Sequence, residues 1–419
     1  MDTPRPSLPL AAFRARSFRF QWPADLVTSW ANEMEILILA WYVLVRTDSV
    51  LLLTLFGSLQ QLGTLAAPTF GVVADRLGGR AVLCAIRAGY VVLAAAVMLL
   101  AATDRLAPVH VLALSAVAGI LRPNDLVMRN TLIGATVPRA HFTGALSLSR
   151  ATQDSARVAG ALAGSGLFAA LGIVPAYAVV VTFYAVGLAL TFGVHRGRAP
   201  AEAGAEPERA LASVPVSGVA RASHWRELKD GLLHIWTTPR LLAAMWLAFL
   251  VNLCAYPISG GLLPYLARNV YGVGERGLGF LVASFSLGAL IGSVAMVVTG
   301  GSRRPERFMV IHTVAWYALL LGLGFTKTMA AGAVLLGVAG LVQSFAMISL
   351  AAVLLNAAPQ RFRGRVMGVR TLAVYGLPLG LMASGALIQG VGYAPTVTAY
   401  AAAGLACTGL IALRWRASL

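Results

Sequence analysis

Residues 71–80 read Gly71-Val72-Val73-Ala74-Asp75-Arg76-Leu77-Gly78-Gly79-Arg80 and form a short polar segment between two long apolar runs. The glycines allow a tight turn between two antiparallel helices that approach closely. Asp75 is suited to cap the N-terminus of the helix that follows. Arg76 and Arg80 are expected to hold this segment on the cytoplasmic side of a membrane, because basic residues concentrate in cytoplasmic loops. We refer to these residues as the 71–80 loop.

The composition of the chain is that of an integral membrane protein. Of its 419 residues, 58% are hydrophobic and only 12% are charged, which leaves too few polar side chains to cover a soluble surface. A membrane-spanning helix needs about 20 apolar residues. Twelve such runs occur, at about residues 21–45, 51–73, 81–103, 108–132, 144–171, 174–194, 240–267, 277–299, 306–326, 329–356, 366–389 and 393–413. We therefore predict an all-α membrane protein with twelve transmembrane helices.

The longest polar segment lies after the sixth predicted span and divides the chain into two six-helix halves. The predicted parts, in chain order, are a cytoplasmic N-terminal segment (1–20), an N-terminal six-helix half (21–194), a central cytoplasmic loop (195–238), a C-terminal six-helix half (239–414) and a cytoplasmic tail (415–419).

Arginines are concentrated in the loops that this topology places inside the cell. The positive-inside rule therefore predicts a multi-pass protein of the plasma (inner) membrane with both termini in the cytoplasm. The formal net charge of +17 then reflects this topology and an attraction to anionic membrane lipid. Because no basic stretch is interleaved with aromatic residues on a soluble domain, we expect no nucleic-acid partner.

The sequence contains no motif for a metal, a cofactor or ATP hydrolysis. Cys84, Cys254 and Cys407 fall in separate spans, and the histidines lack the spacing of metal ligands. Neither Lys229 nor Lys327 follows a glycine, as the lysine of a P-loop does. We therefore expect no cofactor, no metal and no enzymatic activity, and a driving force that comes from an ion gradient or from a partner.

Polar side chains share one face of the first span. A rotation of about 100° per residue places Asp25, Asn32 and Glu35 within a narrow arc, whereas Glu33 points elsewhere. Because a charged carboxylate is costly inside a bilayer, such residues usually have a partner or a function. The candidate proton carriers are Glu35, Glu33, Asp25 and Asp154.

Spans 4 and 5 also carry charges at helical spacing. Arg122, Asp125 and Arg129 lie on one face of span 4, and span 5 repeats the arrangement around Asp154 and Arg157. These residues either neutralise one another in ion pairs or face a cavity. The second half has almost no intramembrane charge, and its candidates are neutral. The candidate substrate-cavity residues are Asn32, Arg122, Asp125, Arg157, Asn252, Tyr256, Gln343 and Tyr375. Such a cavity suits an amphipathic organic molecule.

The 71–80 loop resembles the signature loop between helices 2 and 3 of the major facilitator superfamily, whose pattern is Gly-x-Leu-Ala-Asp-Arg-x-Gly-Arg-Lys. The chain departs from this pattern at Val73 and Gly79. The matching residues are Gly71, Asp75, Arg76, Gly78 and Arg80. The resemblance implies the major facilitator fold, with inverted three-helix repeats in each half and spans 1, 4, 7 and 10 around a central cavity. It also implies that the loop latches the cytoplasmic side when the cavity opens outward.

Span 5 carries small residues at Gly160 and Gly164, a spacing that permits close helix packing. The segment between them resembles the antiporter signature Gly-Pro-x-x-Gly, with Ala161 in place of the proline, and residues 153–157 resemble the segment that precedes it in one exporter branch. These resemblances imply a relative of the macrolide, siderophore and drug:proton antiporters. We expect a monomer that moves a small-molecule substrate by alternating access, coupled to protons.

Three alternatives stay open at this point. An uptake symporter of the same fold is favoured by the missing proline at Ala161. A membrane-embedded enzyme or a lipid scramblase is disfavoured, because the sequence lacks metal-ligand clusters and paired acidic motifs. A non-transporting sensor has no appended soluble domain to support it.

Overall fold

The computed structural model describes residues 9–64, 70, 73–74, 77–194, 235–299, 302, 304–359 and 363–416. Over this part of the chain the regular structure is entirely helical. Four residues of the 71–80 loop, Gly71, Val72, Asp75 and Arg76, lie outside the described residues, as does most of the central loop 195–238. The expectations that fall on these residues stay predictions.

In the described part of the chain, a short 3-10 helix at Pro9–Arg14 is followed by twelve helices that overlap the predicted spans. Those of the first half are α1 Arg16–Thr47, α2 Val50–Leu59, α3 Gly79–Ala102, α4 Pro108–Thr136, α5 Arg139–Leu171 and α6 Ile173–Thr191. Those of the second half are α7 Pro239–Val270, α8 Glu275–Val298, α9 Pro305–Leu323, α10 Met329–Ala357, α11 in two segments, Arg363–Ala373 and Gly376–Val391, and α12 Tyr393–Arg414. Each overlaps a predicted span, although α2 covers only the first part of span 51–73, and the predicted all-α fold is confirmed.

Nine of the helices in the described part of the chain are long and apolar enough to cross a membrane. The other three are the short α2 and the two charge-bearing helices α1 and α5. A helix satisfies its backbone hydrogen bonds internally, which is what an apolar medium requires of a spanning segment. The charges of α1 and α5 must therefore find partners inside the protein.

A similar tight turn joins the last two helices of each half. Gly172 joins α5 to α6 with φ +82°, and Gly392 joins α11 to α12 with φ +90°. This left-handed backbone conformation favours glycine, because other residues have a Cβ that clashes there. A proline follows three residues later in both places, at Pro175 and Pro395. The two halves therefore share a local turn as well as a helix count.

Helix packing divides the chain into two compact units. Unit 1 comprises Met1–Leu39 and Leu59–Pro215, and unit 2 comprises Ala40–Ser58 and Val216–Leu419. In unit 1, α3 packs against α4 and α6. In unit 2, α10 packs against α8 and α9. Residues 40–58, which belong to the first six helices by sequence, thus pack within the same unit as the last six.

Specific side chains hold residues 40–58 within unit 2. Trp41 Nε1 donates a hydrogen bond to Glu275 Oε1 at 2.9 Å. Arg268 Nη1 lies 2.8 Å from Asp48 Oδ1 and donates to the Leu44 carbonyl at 2.9 Å. These contacts join the C-terminal part of α1 to the end of α7 and the start of α8.

Helix α7 is unusually wide over much of its length. After the α-helical stretch Pro239–Leu250, it contains π-helical segments at Val251–Ala255, Pro257–Gly261 and Leu266–Val270. Such segments are rare and occur frequently at functional sites. Gly376 and Gly380 of α11 pack directly on the backbone of this region, where no larger side chain would fit.

Candidate functional site

Two clusters of buried polar side chains lie inside unit 1, at different depths along α1. This helix contributes Asp25, Ser29, Asn32 and Glu35, whose spacing of three or four residues puts them on one face. About 15 Å separate Asp25 from Glu35 along the helix axis, at 1.5 Å per residue. Helices α3, α4 and α6 supply the partners.

The Glu35 cluster consists of Asn32, Glu35, Gln60, Arg122 and Tyr184. Arg122 Nη2 lies 2.6 Å from Glu35 Oε2, and Arg122 Nε donates to Asn32 Oδ1 at 3.2 Å. Arg122 Nη1 donates to the side-chain oxygen of Gln60. From α6, Tyr184 Oη lies 2.8 Å from both Glu35 Oε2 and Asn32 Oδ1. One arginine thus binds polar groups of α1 and of the segment after α2.

A small pocket opens beside the Glu35 cluster. Its polar lining consists of Glu35, Arg122 and Ser115, and the buried Ser115 hydroxyl has no hydrogen-bond partner within the described residues. The rest of the lining is apolar: Leu39, Leu93, Val97, Leu114 and Ala118. The space between the lining atoms is about 210 Å³, and this volume includes open solvent at the mouth of the pocket. Its enclosed part admits little more than a water molecule, so a drug-sized molecule would need the pocket to widen.

The Asp25 cluster consists of Asp25, Arg87, Asp125 and Arg129, whose side chains are only 1–4% exposed. Arg87 forms an ion pair with Asp25, and its Nε lies 3.5 Å from Asp125 Oδ1. Arg129 Nε lies 2.5 Å from Asp125 Oδ2 and 3.5 Å from Asp25 Oδ1. Two carboxylates and two guanidinium groups balance, so the cluster has no net charge.

Basic residues of α3 also bind the C-terminal end of α6. Arg87 Nη1 donates to Thr191 Oγ1 at 2.5 Å, and Arg80 donates to the Phe192 carbonyl. The C-terminal end of a helix carries partial negative charge, which favours cations there. Arg80 of the 71–80 loop is thereby placed against α6, and Gly78, with φ +90°, precedes the first residue of α3.

The structure places Glu33 away from both clusters, facing α5. Glu33 Oε1 lies 3.8 Å from Arg157 Nε, and both side chains are partly exposed. Gly160 and Gly164 bring α5 close to α1 in this region: a Cβ on Gly164 would lie 2.9 Å from Met34 Cα. Asp154, also on α5, lies 3.4 Å from the exposed Arg150. The four candidate proton carriers therefore occupy four different surroundings.

The neutral candidates of unit 2 form a smaller group. Gln343 of α10 donates from Nε2 to Tyr256 Oη at 2.9 Å, and the Tyr256 ring contacts Trp316 edge-on at 5.2 Å. Asn252 donates to the Ala248 carbonyl of its own helix at 2.8 Å. Tyr375 lies between the two segments of α11. Asn252 and Tyr256 lie in and beside the π-helical part of α7.

Sequence reasoning did not identify Arg87, Gln60 or Tyr184. The signal for Arg87 was present, because it is a lone arginine within the third span, and an intramembrane charge indicates a partner. Gln60 is likewise a polar residue within a predicted span. Tyr184 had no distinguishing signal, since tyrosines are common in membrane helices.

The chain is similar in sequence to known proteins. The sequence model of the Major Facilitator Superfamily matches residues 27–383. The multidrug efflux pump Tap of Mycolicibacterium fortuitum is 26% identical over 389 residues, which cover 90% of each chain. The Mycobacterium tuberculosis pump of the same name is 28% identical over 219 residues, which cover 49% of this chain and 50% of that protein.

Solved structures are similar in fold. A bacterial homologue of the human lysosomal transporter Spinster, described as inward-facing and unoccupied, superposes with a TM-score of 0.67 at 13% identity, covering 96% of this chain and 94% of that one. A POT family transporter in complex with 5-aminolevulinic acid gives a TM-score of 0.70 at 13% identity, covering 96% of each chain. The twelve-helix architecture and the sequence match agree, and the chain belongs to the Major Facilitator Superfamily of membrane transporters.

Proposed function

We propose that this transporter exports a small amphipathic organic molecule in exchange for protons, and that Glu35 carries the proton. The observation that supports this proposal is the pairing of Glu35 with Arg122 at the edge of a mostly apolar pocket. The similarity to efflux pumps named Tap agrees with export.

The charge balance around Glu35 suggests how a proton would change the protein. A carboxylate at this position neutralises Arg122, whereas a protonated Glu35 leaves the arginine without a charged partner. A buried unpaired charge is strongly unfavourable, so protonation would favour a state in which Arg122 reaches water or another partner. A ligand or proton shifts a conformational equilibrium only by binding one state better than the other.

Asp25 is a weaker candidate for the proton carrier. It lies between two arginines, Arg87 and Arg129, and both are also bound to Asp125. Loss of its charge would leave two buried guanidinium groups with one carboxylate. Its position suits a structural ion network that holds α1, α3 and α4 together.

The organisation inferred from sequence belongs to the same proposal. Two six-helix halves, 21–194 and 239–414, would alternate in access around a mid-membrane site, with both termini in the cytoplasm of a monomeric protein. The 71–80 loop would latch the cytoplasmic side. The substrate-cavity residues that the sequence predicts in the second half, Tyr256 and Gln343 among them, belong to the same proposal.

The test is proton release from purified protein in weakly buffered detergent on addition of lipophilic drugs, siderophores or polyamines. Wild type is expected to release protons on binding one of these compounds, and Glu35→Gln is expected to release none. Asp154→Asn is the matched control, since Asp154 pairs with the exposed Arg150 outside both clusters, and it should behave like wild type. Release that persists in Glu35→Gln would contradict the assignment to Glu35.

The direction of transport is tested separately, by measuring substrate flux in everted and in right-side-out membrane vesicles. An exporter accumulates substrate in everted vesicles when their interior is acidic. An uptake symporter of the same fold, the alternative that Ala161 favours, would accumulate substrate in right-side-out vesicles instead.

A further inference from the structure

The Tyr184 hydroxyl lies between two acceptors on α1. Its oxygen is 2.8 Å from Glu35 Oε2 and 2.8 Å from Asn32 Oδ1. A phenol has a single proton to donate, so only one of these two oxygens receives it at any moment. The oxygen that does not receive the proton must be satisfied in another way.

The protonation state of Glu35 decides which acceptor is used. When Glu35 is a carboxylate, it can only accept, and a charge-assisted hydrogen bond from Tyr184 is the stronger choice. Asn32 Oδ1 is then satisfied by Arg122 Nε, 3.2 Å away. When Glu35 takes up a proton from water, its O–H becomes a donor, and Tyr184 Oη is the neutral acceptor next to it.

The tyrosine proton then turns to Asn32 Oδ1. No covalent bond other than the new O–H of Glu35 forms, and Tyr184 keeps its own proton throughout. All three groups, Glu35, Tyr184 and Asn32, therefore have hydrogen-bond partners in both states of the carboxyl group. Because leaving a buried polar group without a hydrogen bond is unfavourable in proteins, this arrangement removes an obstacle to protonating Glu35 in place.

We propose that Tyr184 is a positioning residue for proton coupling, whose hydroxyl reverses the direction of its hydrogen bond when Glu35 gains or loses a proton. This role rests on the proposed function of Glu35 as the proton carrier. Asn32 completes the arrangement as the second acceptor.

Packing fixes Tyr184 in the position that this role requires. Its side chain is buried and its ring stacks on Tyr90 of α3, with centroids 5.1 Å apart. One turn further along α6, Gly187 brings the helix against α1, where a Cβ would lie 3.3 Å from the Ala24 carbonyl. The hydroxyl can thus turn while the ring stays in place.

The charged and titratable side chains around this hydroxyl come from every helix packed on it. They are Glu35 of α1, Tyr90 of α3, Arg122 of α4 and Tyr177 of α6 itself. The Tyr90 hydroxyl has no hydrogen-bond partner within the described residues, whereas Tyr177 lies close enough to Glu35 to interact with its carboxylate. Arg122 only donates. Tyr184 is the hydroxyl that lies within hydrogen-bond distance of both Glu35 and Asn32.

The test is infrared difference spectroscopy of the full-length protein between high and low pH. The C=O stretch of protonated Glu35 is identified as the band that Glu35→Gln removes. In wild type this band should lie at the low wavenumber of a carboxyl group that donates a hydrogen bond. In Tyr184→Phe, which keeps the stacked ring, the band should move to higher wavenumber, because the acid has lost its acceptor.

Tyr90→Phe is the matched control, since it removes a buried hydroxyl from the same stacked pair and should leave the band in place. Asn32→Leu provides a second test, and it should move the band in the same direction as Tyr184→Phe. A Glu35 band that Tyr184→Phe and Asn32→Leu both leave unmoved would overturn the role of Tyr184 while the proposed function stands. The absence of any band that Glu35→Gln removes would overturn the proposed function itself.

Discussion

Arg87 on α3 forms an ion pair with Asp25 on α1 and also approaches Asp125 on α4, so that one side chain links three helices. Its side chain is 1% exposed. Because water cannot replace any of these contacts, the energetic consequences of changing this residue are large and specific.

Replacing Arg87 by methionine leaves two buried carboxylates with one guanidinium group. We expect Arg87→Met to lower the free energy of unfolding by about 3–5 kcal/mol, the usual effect of removing one partner of a buried ion pair. The readout is the melting temperature of the purified protein in detergent. Arg150→Ala, which removes an exposed partner of Asp154, should change stability by less than about 1 kcal/mol.

The double variant Arg87→Met with Asp25→Asn restores the charge balance of the Asp25 cluster. It should therefore be more stable than Arg87→Met alone. If Arg87→Met melts at the same temperature as wild type, the Asp25 cluster does not contribute to stability in the way its burial implies.

Gly164 is a sensitive position at the contact between α5 and α1. A Cβ there would lie 2.9 Å from the backbone of Met34, so Gly164→Val must push the two helices apart. We expect Gly164→Val to lower the free energy of unfolding by about 1–3 kcal/mol, which is typical of overpacking. Gly166→Val on the same helix is the control, because nothing lies within 4 Å of a Cβ at that position. Equal melting temperatures for the two variants would contradict the close contact.

The hydrogen bond between Trp41 and Glu275 distinguishes two substitutions of similar size. Glu275→Gln keeps a side-chain oxygen that can accept from Trp41 Nε1, whereas Glu275→Leu does not and leaves a buried indole N–H unpaired. We expect Glu275→Leu to be less stable than Glu275→Gln by about 1–3 kcal/mol. Thermal unfolding of both variants in detergent measures the difference. Identical curves would show that the bond does not hold residues 40–58 in unit 2.

Glu33 and Glu35 are two residues apart but should respond differently to neutralisation. Glu33 is 31% exposed and 3.8 Å from a partly exposed arginine, whereas Glu35 is buried against Arg122. We expect Glu33→Gln to keep proton-driven substrate transport in proteoliposomes and Glu35→Gln to lose it. Transport that fails in Glu33→Gln and persists in Glu35→Gln would reverse the two assignments.

The twelve helices could be predicted from sequence because hydropathy depends on composition over about 20 residues. The ends were less well predicted: α1 begins at Arg16 rather than near residue 21, and α5 begins at Arg139 rather than near residue 144. Both helices extend through polar residues that an apolar window excludes. A prediction based on hydropathy therefore does not assign such residues to a helix.

Sequence periodicity predicts which site residues share a helix face, but it does not predict which residues of other helices they contact. Periodicity placed Asp25, Asn32 and Glu35 together, and it placed Arg122 and Asp125 on one face of α4. Which of these faces oppose one another depends on packing between distant helices, and no spacing within one helix encodes it. For the same reason, hydropathy did not indicate that residues 40–58 pack within unit 2.

The π-helical segments of α7 give that helix a means of adjustment that a regular α-helix lacks. A π turn closes its hydrogen bonds one residue further along the chain than an α turn does. When such a turn tightens to α geometry, the helix stays continuous. Every side chain beyond the turn then rotates about the helix axis to a new direction. Tyr256 lies between two of these segments, so a one-residue shift in backbone pairing could re-aim its hydroxyl relative to Gln343 without breaking the helix.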